Sequence, residues 1–319
     1  MSLTTYKEVR PWAKAIQAAV LTRKMPPWHA DPHYGTFRND ARLSPAEIET
    51  IATWARNGAP EGNPKVLPPL PPIQTAWQIG KPDAIYSIDE FTLGSNGPED
   101  QQTFIVETNL KEPKWVEAIE IRPGNPKVVH HVQVAIDGSI LATTHFEKWP
   151  PGTARLIPAG AKLHFTIHYA PGKDEKDKTS IGFRFAKQPP QRQIRQLHLS
   201  NNTFEIPANA EKHIVTAQTA LAEDADVLSY FALMNYRGRT MRFEATYPDG
   251  HSEILLDIRD YDVQWQTKYI NAKPVRLPKG TRITLTATYD NSANNPSNPD
   301  PSKTIGPKEE KMEGWIEFY

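Results

Sequence analysis

Two histidines stand side by side at the centre of "KVVHHVQVAI", residues 127–136, and two more lie four apart in "KLHFTIHYAP", residues 162–171. Three neutral imidazoles without a thiolate or carboxylate suit copper or zinc. The chain contains no cysteine, which removes disulfides, thiolate metal sites, cysteine nucleophiles and covalently attached c-type haem. Any metal must be held by His, Met, Asp or Glu.

The spacing sets conditions on such a site. "KVVHHVQVAI" has the alternation of a strand, which assigns Val128, His130, Val132, Val134 and Ile136 to one side. Val129, His131, Gln133 and Ala135 fall on the other. Neighbouring strand residues point opposite ways, so both histidines reach one ion only if the strand twists or ends there, or if one binds through Nδ1 and the other through Nε2. His164 and His168 share a face but stand about 13 Å apart along a strand, so at most one of them joins the pair. The competing reading is structural: a lone strand histidine ordinarily makes hydrogen bonds in the core, and the chain has ten. Two adjacent buried imidazoles are harder to satisfy, because every ring nitrogen needs a partner.

Other elements must position these residues. In "YKEVRPWAKAIQAAVLTRKMPPW", Val9, Trp12, Ile16 and Val20 recur at helical spacing, Pro11 marks a late start or a kink, and Pro26–Pro27 end the run. Ser44, Pro45 and Glu47 form a capping box for a second helix with Ile48, Ile51 and Trp54 as its apolar stripe, stopped by Asn57–Gly58. Residues 1–62 are therefore expected to be helical. Residues 63–80, rich in proline, are expected to be an extended linker. From residue 81 onward the period is two, with Pro, Gly, Asn and Asp clusters between short runs, which predicts an all-β body. Its length suits two sandwiches, 81–189 and 190–319, with "KQPPQRQ" at the seam. The loop "YDNSANNPSNPDPSK" lacks the acidic spacing of a calcium site and reads as successive turns.

Composition excludes some partners. Lys plus Arg and Asp plus Glu both number 37, so there is no basic footprint for nucleic acid. No apolar run approaches the ~20 residues of a membrane span.

The stretches "RPGNPKVVHHV" and "HYAPGK", with "RKMPPWHADPHYG", "LSPAEIETIATWARNGAPEG" and "RGRTMRFEATYPDG" in the same order, resemble the copper type II, ascorbate-dependent monooxygenases. These are the relatives of peptidylglycine α-hydroxylating monooxygenase, and the chain is most similar to a bacterial branch with a cytochrome-c-like segment in front. The resemblance implies a mainly β fold of two jelly-roll β-sandwich domains, preceded here by a small α-helical, truncated cytochrome-c-like segment. It implies an electron-transferring copper in the first sandwich and an oxygen-activating copper in the second. The first family site falls on His130, His131 and His168, and His164 has no counterpart. Met25 in "KMPPW" matches the family's axial haem methionine.

The chain departs from that pattern in two places. Leu233 and Asn235, ahead of Arg237–Gly238, stand where the family has the histidines of its second copper site, and Gly314–Trp315 stand where it has a methionine. His213, His251, Met234 and Met312 are the remaining candidates for a rescue. The Cys-x-x-Cys-His haem attachment motif is also missing, so haem c is doubtful. A shortened N-terminus implies a periplasmic protein, whereas a chain complete as written has no export signal and is cytoplasmic. The expectation is a copper-binding redox protein that keeps one copper ion, exchanges electrons with a donor or small molecule, and is not a competent hydroxylase. The alternatives are a binding or scaffold module with relic histidines, and a monooxygenase with an atypical second site.

Overall fold

The computed structural model describes residues 3–66, 76–94, 100–143 and 146–319. Most of the expected linker, residues 67–75, lies outside them. The helices are α1 (Tyr6–Val9), α2 (Ala13–Leu21) and α3 (Pro45–Arg56). Pro11 lies in a 3-10 turn, Arg10–Trp12, that separates α1 from α2. The Ser44 hydroxyl accepts from the Glu47 amide while the Glu47 carboxylate accepts from Ser44 N at 2.7 Å, and Pro45 opens α3. The apolar stripes bury little. Of α3 only Ala52 is buried, and Trp12 is half exposed.

The remaining body is mainly β, as the period-two pattern predicts. In chain order the first group is β1 (Ala84–Ser87), β2 (Phe91–Thr92), β3 (Asp100–Glu107), β4 (Lys114–Arg122), β5 (Val129–Ile136), β6 (Ser139–Thr143), β7 (Phe146–Lys148), β8 (Thr153–Ile157), β9 (Lys162–Tyr169), β10 (Lys176–Asp177) and β11 (Ser180–Phe185). The second is β12 (Arg192–Ser200), β13 (His213–Ala220), β14 (Ala225–Leu233), β15 (Gly238–Thr246), β16 (Ser252–Ile258), β17 (Lys268–Leu277), β18 (Arg282–Tyr289) and β19 (Glu313–Phe318).

A sheet in the order β3-β9-β5-β6 encloses one apolar core with the β1-β11-β4-β8 half of a long sheet. A sheet in the order β13-β18-β15-β16 encloses another with the β12-β19-β14-β17 half. The two halves are one continuous sheet, because β8 and β12 pair in parallel through Thr153–Arg155 and Arg192–Ile194. Alternation explains the two faces of the second half. Leu197, Tyr230 and Ile316 point into its core, while Gln196, Phe231 and Trp315 point the other way, towards the first sandwich. Ile140 of β6 packs there on Phe231 and Trp315.

The segment between α2 and α3 is built into the second sandwich. Trp28, Ala30 and Phe37 belong to its core, Ala30 bridges Ile258, and Phe37 bridges Asn271. Trp28 and Phe37 both meet the Tyr269 ring edge-on, at centroid distances of 5.0 and 5.6 Å.

Candidate functional site

The histidine pair sits at a fault in the strand. Val129 of β5 pairs with Tyr169 of β9, but the next pair is His131 with His168, so His130 is an extra residue on β5. Such a bulge bends its strand and re-aims side chains. The expected alternation fails here for that reason. Val128, Val129 and Val132 all join the core, whereas His130 and His131 are both only half-buried and absent from it. Among the described residues, pairing with β6 covers Gln133–Ile136.

Cross-strand pairing brings His168 onto His131. Their rings stack with centroids 3.9 Å apart and planes 21° from parallel. The His130 ring lies 5.6 Å from that of His131 at 64°, and the Trp265 indole meets His130 edge-on at 5.6 Å. Trp265 belongs to the loop before β17, so the second sandwich reaches across to the pair. Among the described residues, both ring nitrogens of His131 are buried without a hydrogen-bond partner. Burial, reinforced by the neighbouring His168 and His130, pushes its pKa down to about 3. The imidazole is thus held neutral, the protonation state in which a histidine binds a metal. His164, four residues back on β9, is half-buried beside Ala135 and takes no part.

Imidazoles are donors of the kind copper and zinc take, and an orphaned one meets two more histidines on adjacent strands. The rings stack rather than converge, however, and among the described residues no three His, Cys, Asp or Glu side chains form a ready-made metal-holding group.

His130 and His131 line a cavity of about 560 Å³ between the sandwiches, closed by Trp28, Glu147, Trp265 and Lys268. Beside it lies a buried ionic cluster that the strand pattern did not reveal. The Lys268 ammonium donates to Glu147 and, at 2.9 Å, to Glu317. Trp149 Nε1 donates to Glu317 at 3.1 Å, and Arg155 donates to Ile140 O and Ser139 Oγ at 2.7 Å each. Burial, then the nearby Glu317 carboxylate, raises the Glu147 carboxyl; burial opposes ionisation of Glu317 too, but Lys268 and Arg155 hold it below the usual range. A signal was present in "EGWIEFY" and "TKYINA", where a charge interrupts an apolar strand, but its partners are distant in sequence.

The positions of the family's second site are occupied by core and loop contacts. Met234 and Met312 are buried in the second core. The Asn235 amide nitrogen donates to the Glu310 carboxylate and its side chain to Glu309 O. His251 stacks on Tyr247 and hydrogen-bonds Asp249 in an exposed turn, and His213 begins β13. A Cβ on Gly314 would lie 2.5 Å from Leu285 Cδ1 and 3.0 Å from Phe243 Cζ. Gly314→Ala is therefore expected to cost about 1–3 kcal/mol through overpacking, read as a lower urea midpoint; an unchanged midpoint would show that this core yields. In the loop 290–303, the Ser292, Ser297, Asp300 and Ser302 amides each donate to the Asp or Asn side chain two residues before, so the loop is a chain of Asx turns.

Met25 is 43 % exposed and borders a second cavity, of about 540 Å³, with Val20, Trp28, Leu43 and Ile48. Among the described residues no histidine lines that cavity to oppose it, and these 319 residues hold no cysteine to tether a c-type haem. The residues present do not fit covalent haem.

No protein-family model matches the chain, and no curated protein matches it in sequence. Among solved structures it is similar to the infectious bursal disease virus Gx strain structure, at 9 % identity over 80 % of this chain and 75 % of that one, with a TM-score of 0.23. The VP2 subviral particle of infectious bursal disease virus gives 7 % identity over 75 % and 72 %, with a TM-score of 0.24. A two-domain protein of unknown function from Bacteroides fragilis gives 11 % identity over 73 % and 94 %, with a TM-score of 0.16. Likenesses this distant bear neither on the fold nor on the activity of this chain.

Proposed function

We propose that the chain is a copper-binding redox protein of the ascorbate-dependent monooxygenase type, in which His130, His131 and His168 would hold one ion. The reading rests on one observation above the others: a bulge and a cross-strand pairing gather three histidines, and the central one has two buried, unpaired nitrogens. Three neutral imidazoles would leave the ion with open positions and suit it to one-electron exchange. The chain's own part is to keep His131 neutral, to set His168 beside it through the β5–β9 register, and to shield the pair with Trp265. Leu233, Asn235 and Gly314 supply no donors suited to a second redox copper, so the reading does not extend to hydroxylation.

Metal analysis after loading with copper tests this. One equivalent per chain is expected; none favours a binding or scaffold module, and two a monooxygenase with an atypical second site. Ascorbate-dependent hydroxylation of glycine-extended peptides and phenethylamines is expected to stay at the free-copper background. Product above it that disappears in His168→Ala would overturn the single-site reading.

A further inference from the structure

Among the described residues, several that line the cavity between the sandwiches carry a buried polar atom without a hydrogen-bond partner. Besides His131, they are Trp28 Nε1, Thr143 Oγ1 and Gln264 Oε1, from three separate parts of the chain. Folded interiors hold few such atoms, so several at one cavity mark a place where something else completes the bonding. Their chemistry is mixed: the indole only donates, the amide oxygen only accepts, and the hydroxyl does both. Among the described residues, the charged side chains on the wall, Glu147 and Lys268, pair with each other and leave no free charge there for an ionic ligand. Trp265 and Phe146, 39 % and 47 % exposed, add apolar rings to the lining. At about 560 Å³ the space lies within the range of small-molecule sites.

We propose that this cavity binds an uncharged sugar of mono- or disaccharide size. Sugar hydroxyls donate and accept at once, which matches the hydroxyl of Thr143 and the amide of Gln264, and the C–H face of a pyranose suits an exposed indole such as Trp265. Uptake requires the Gln264 and Thr143 side chains to turn towards the ligand, a change of rotamer only. His130 and His131 line the same cavity, and the sugar contacts proposed here involve neither imidazole, so binding is measured with copper removed.

The test is calorimetric titration of the full chain, with a chelator present, against glucose, galactose, mannose, xylose, N-acetylglucosamine and cellobiose. Binding of at least one with a Kd of about 1 mM or tighter is expected. Gln264→Leu and Thr143→Val should each weaken it at least about 10-fold while the thermal midpoint holds, because each removes an unpaired polar atom. No heat from any of these sugars at about 50 mM, or an affinity unchanged in both variants, overturns the proposal; these limits follow ordinary affinity arithmetic.

Discussion

His131→Leu is expected to abolish stoichiometric copper uptake while leaving the metal-free fold at least as stable as before. Losing a partner outside the coordination shell already costs about 10–100-fold in metal affinity, so loss of a ligand should exceed about 100-fold. Stability should move little, and upward if at all. Both imidazole nitrogens are buried without partners, and an unpaired buried polar group costs about 1–3 kcal/mol, which leucine does not incur. A histidine serving the fold through hydrogen bonds would behave in the opposite way, losing stability on replacement. Copper titration and urea unfolding of the same variant therefore separate the two roles. Unchanged copper stoichiometry removes His131 from the site.

The metal-free protein adds a pH signature. The folded pKa of His131, pushed down to about 3, lies below its ordinary value of about 6.5, so protons favour the unfolded chain. The stability tied to its neutral form is whole above about pH 6.5 and drains away as the pH falls towards 3. His131→Leu should flatten that part of the stability–pH curve, measured with a chelator present.

Lys268→Met should be the most destabilising single change, by about 3–5 kcal/mol, the usual effect of breaking a buried ion pair by removing one partner. It leaves the Glu147 and Glu317 carboxylates facing each other inside the protein without their ammonium. The loss also loosens the junction of the sandwiches, since Glu147 lies on β7 of the first and Lys268 on β17 of the second. Combining Lys268→Met with Glu147→Gln should recover much of the loss, because two opposite charges then leave together. Urea unfolding of both single variants and the double variant measures this. A cost below about 1 kcal/mol for Lys268→Met, typical of exposed pairs, would show that the cluster is open to water.

Much of the local structure was legible. The capping box at Ser44 and the stop at Asn57 mark α3 because they satisfy backbone groups that any helix leaves orphaned. Period-two apolar runs mark strands because a sheet has two faces. The segment around Trp28 and Phe37 was not legible, since an isolated extended stretch docking on a distant strand carries no period of its own. The short helices around it were easy to find, yet their stripes bury little, which pattern alone does not disclose.

The amino-acid sequence by itself determined that the body is mainly β, that thiolate chemistry is absent, and that histidines 130, 131 and 168 are the candidates for a metal. The first two follow from composition and local periodicity, which do not depend on what the chain meets later; the choice of His168 over His164 came from the family resemblance. Only the tertiary structure decided that His130 is a bulge residue, that His131 faces His168 across one register pair, and that Trp28, Glu147, Trp265 and Lys268 enclose the same cavity. Register and docking are set by long-range packing, and residues more than a hundred positions apart leave no mark on each other's local pattern.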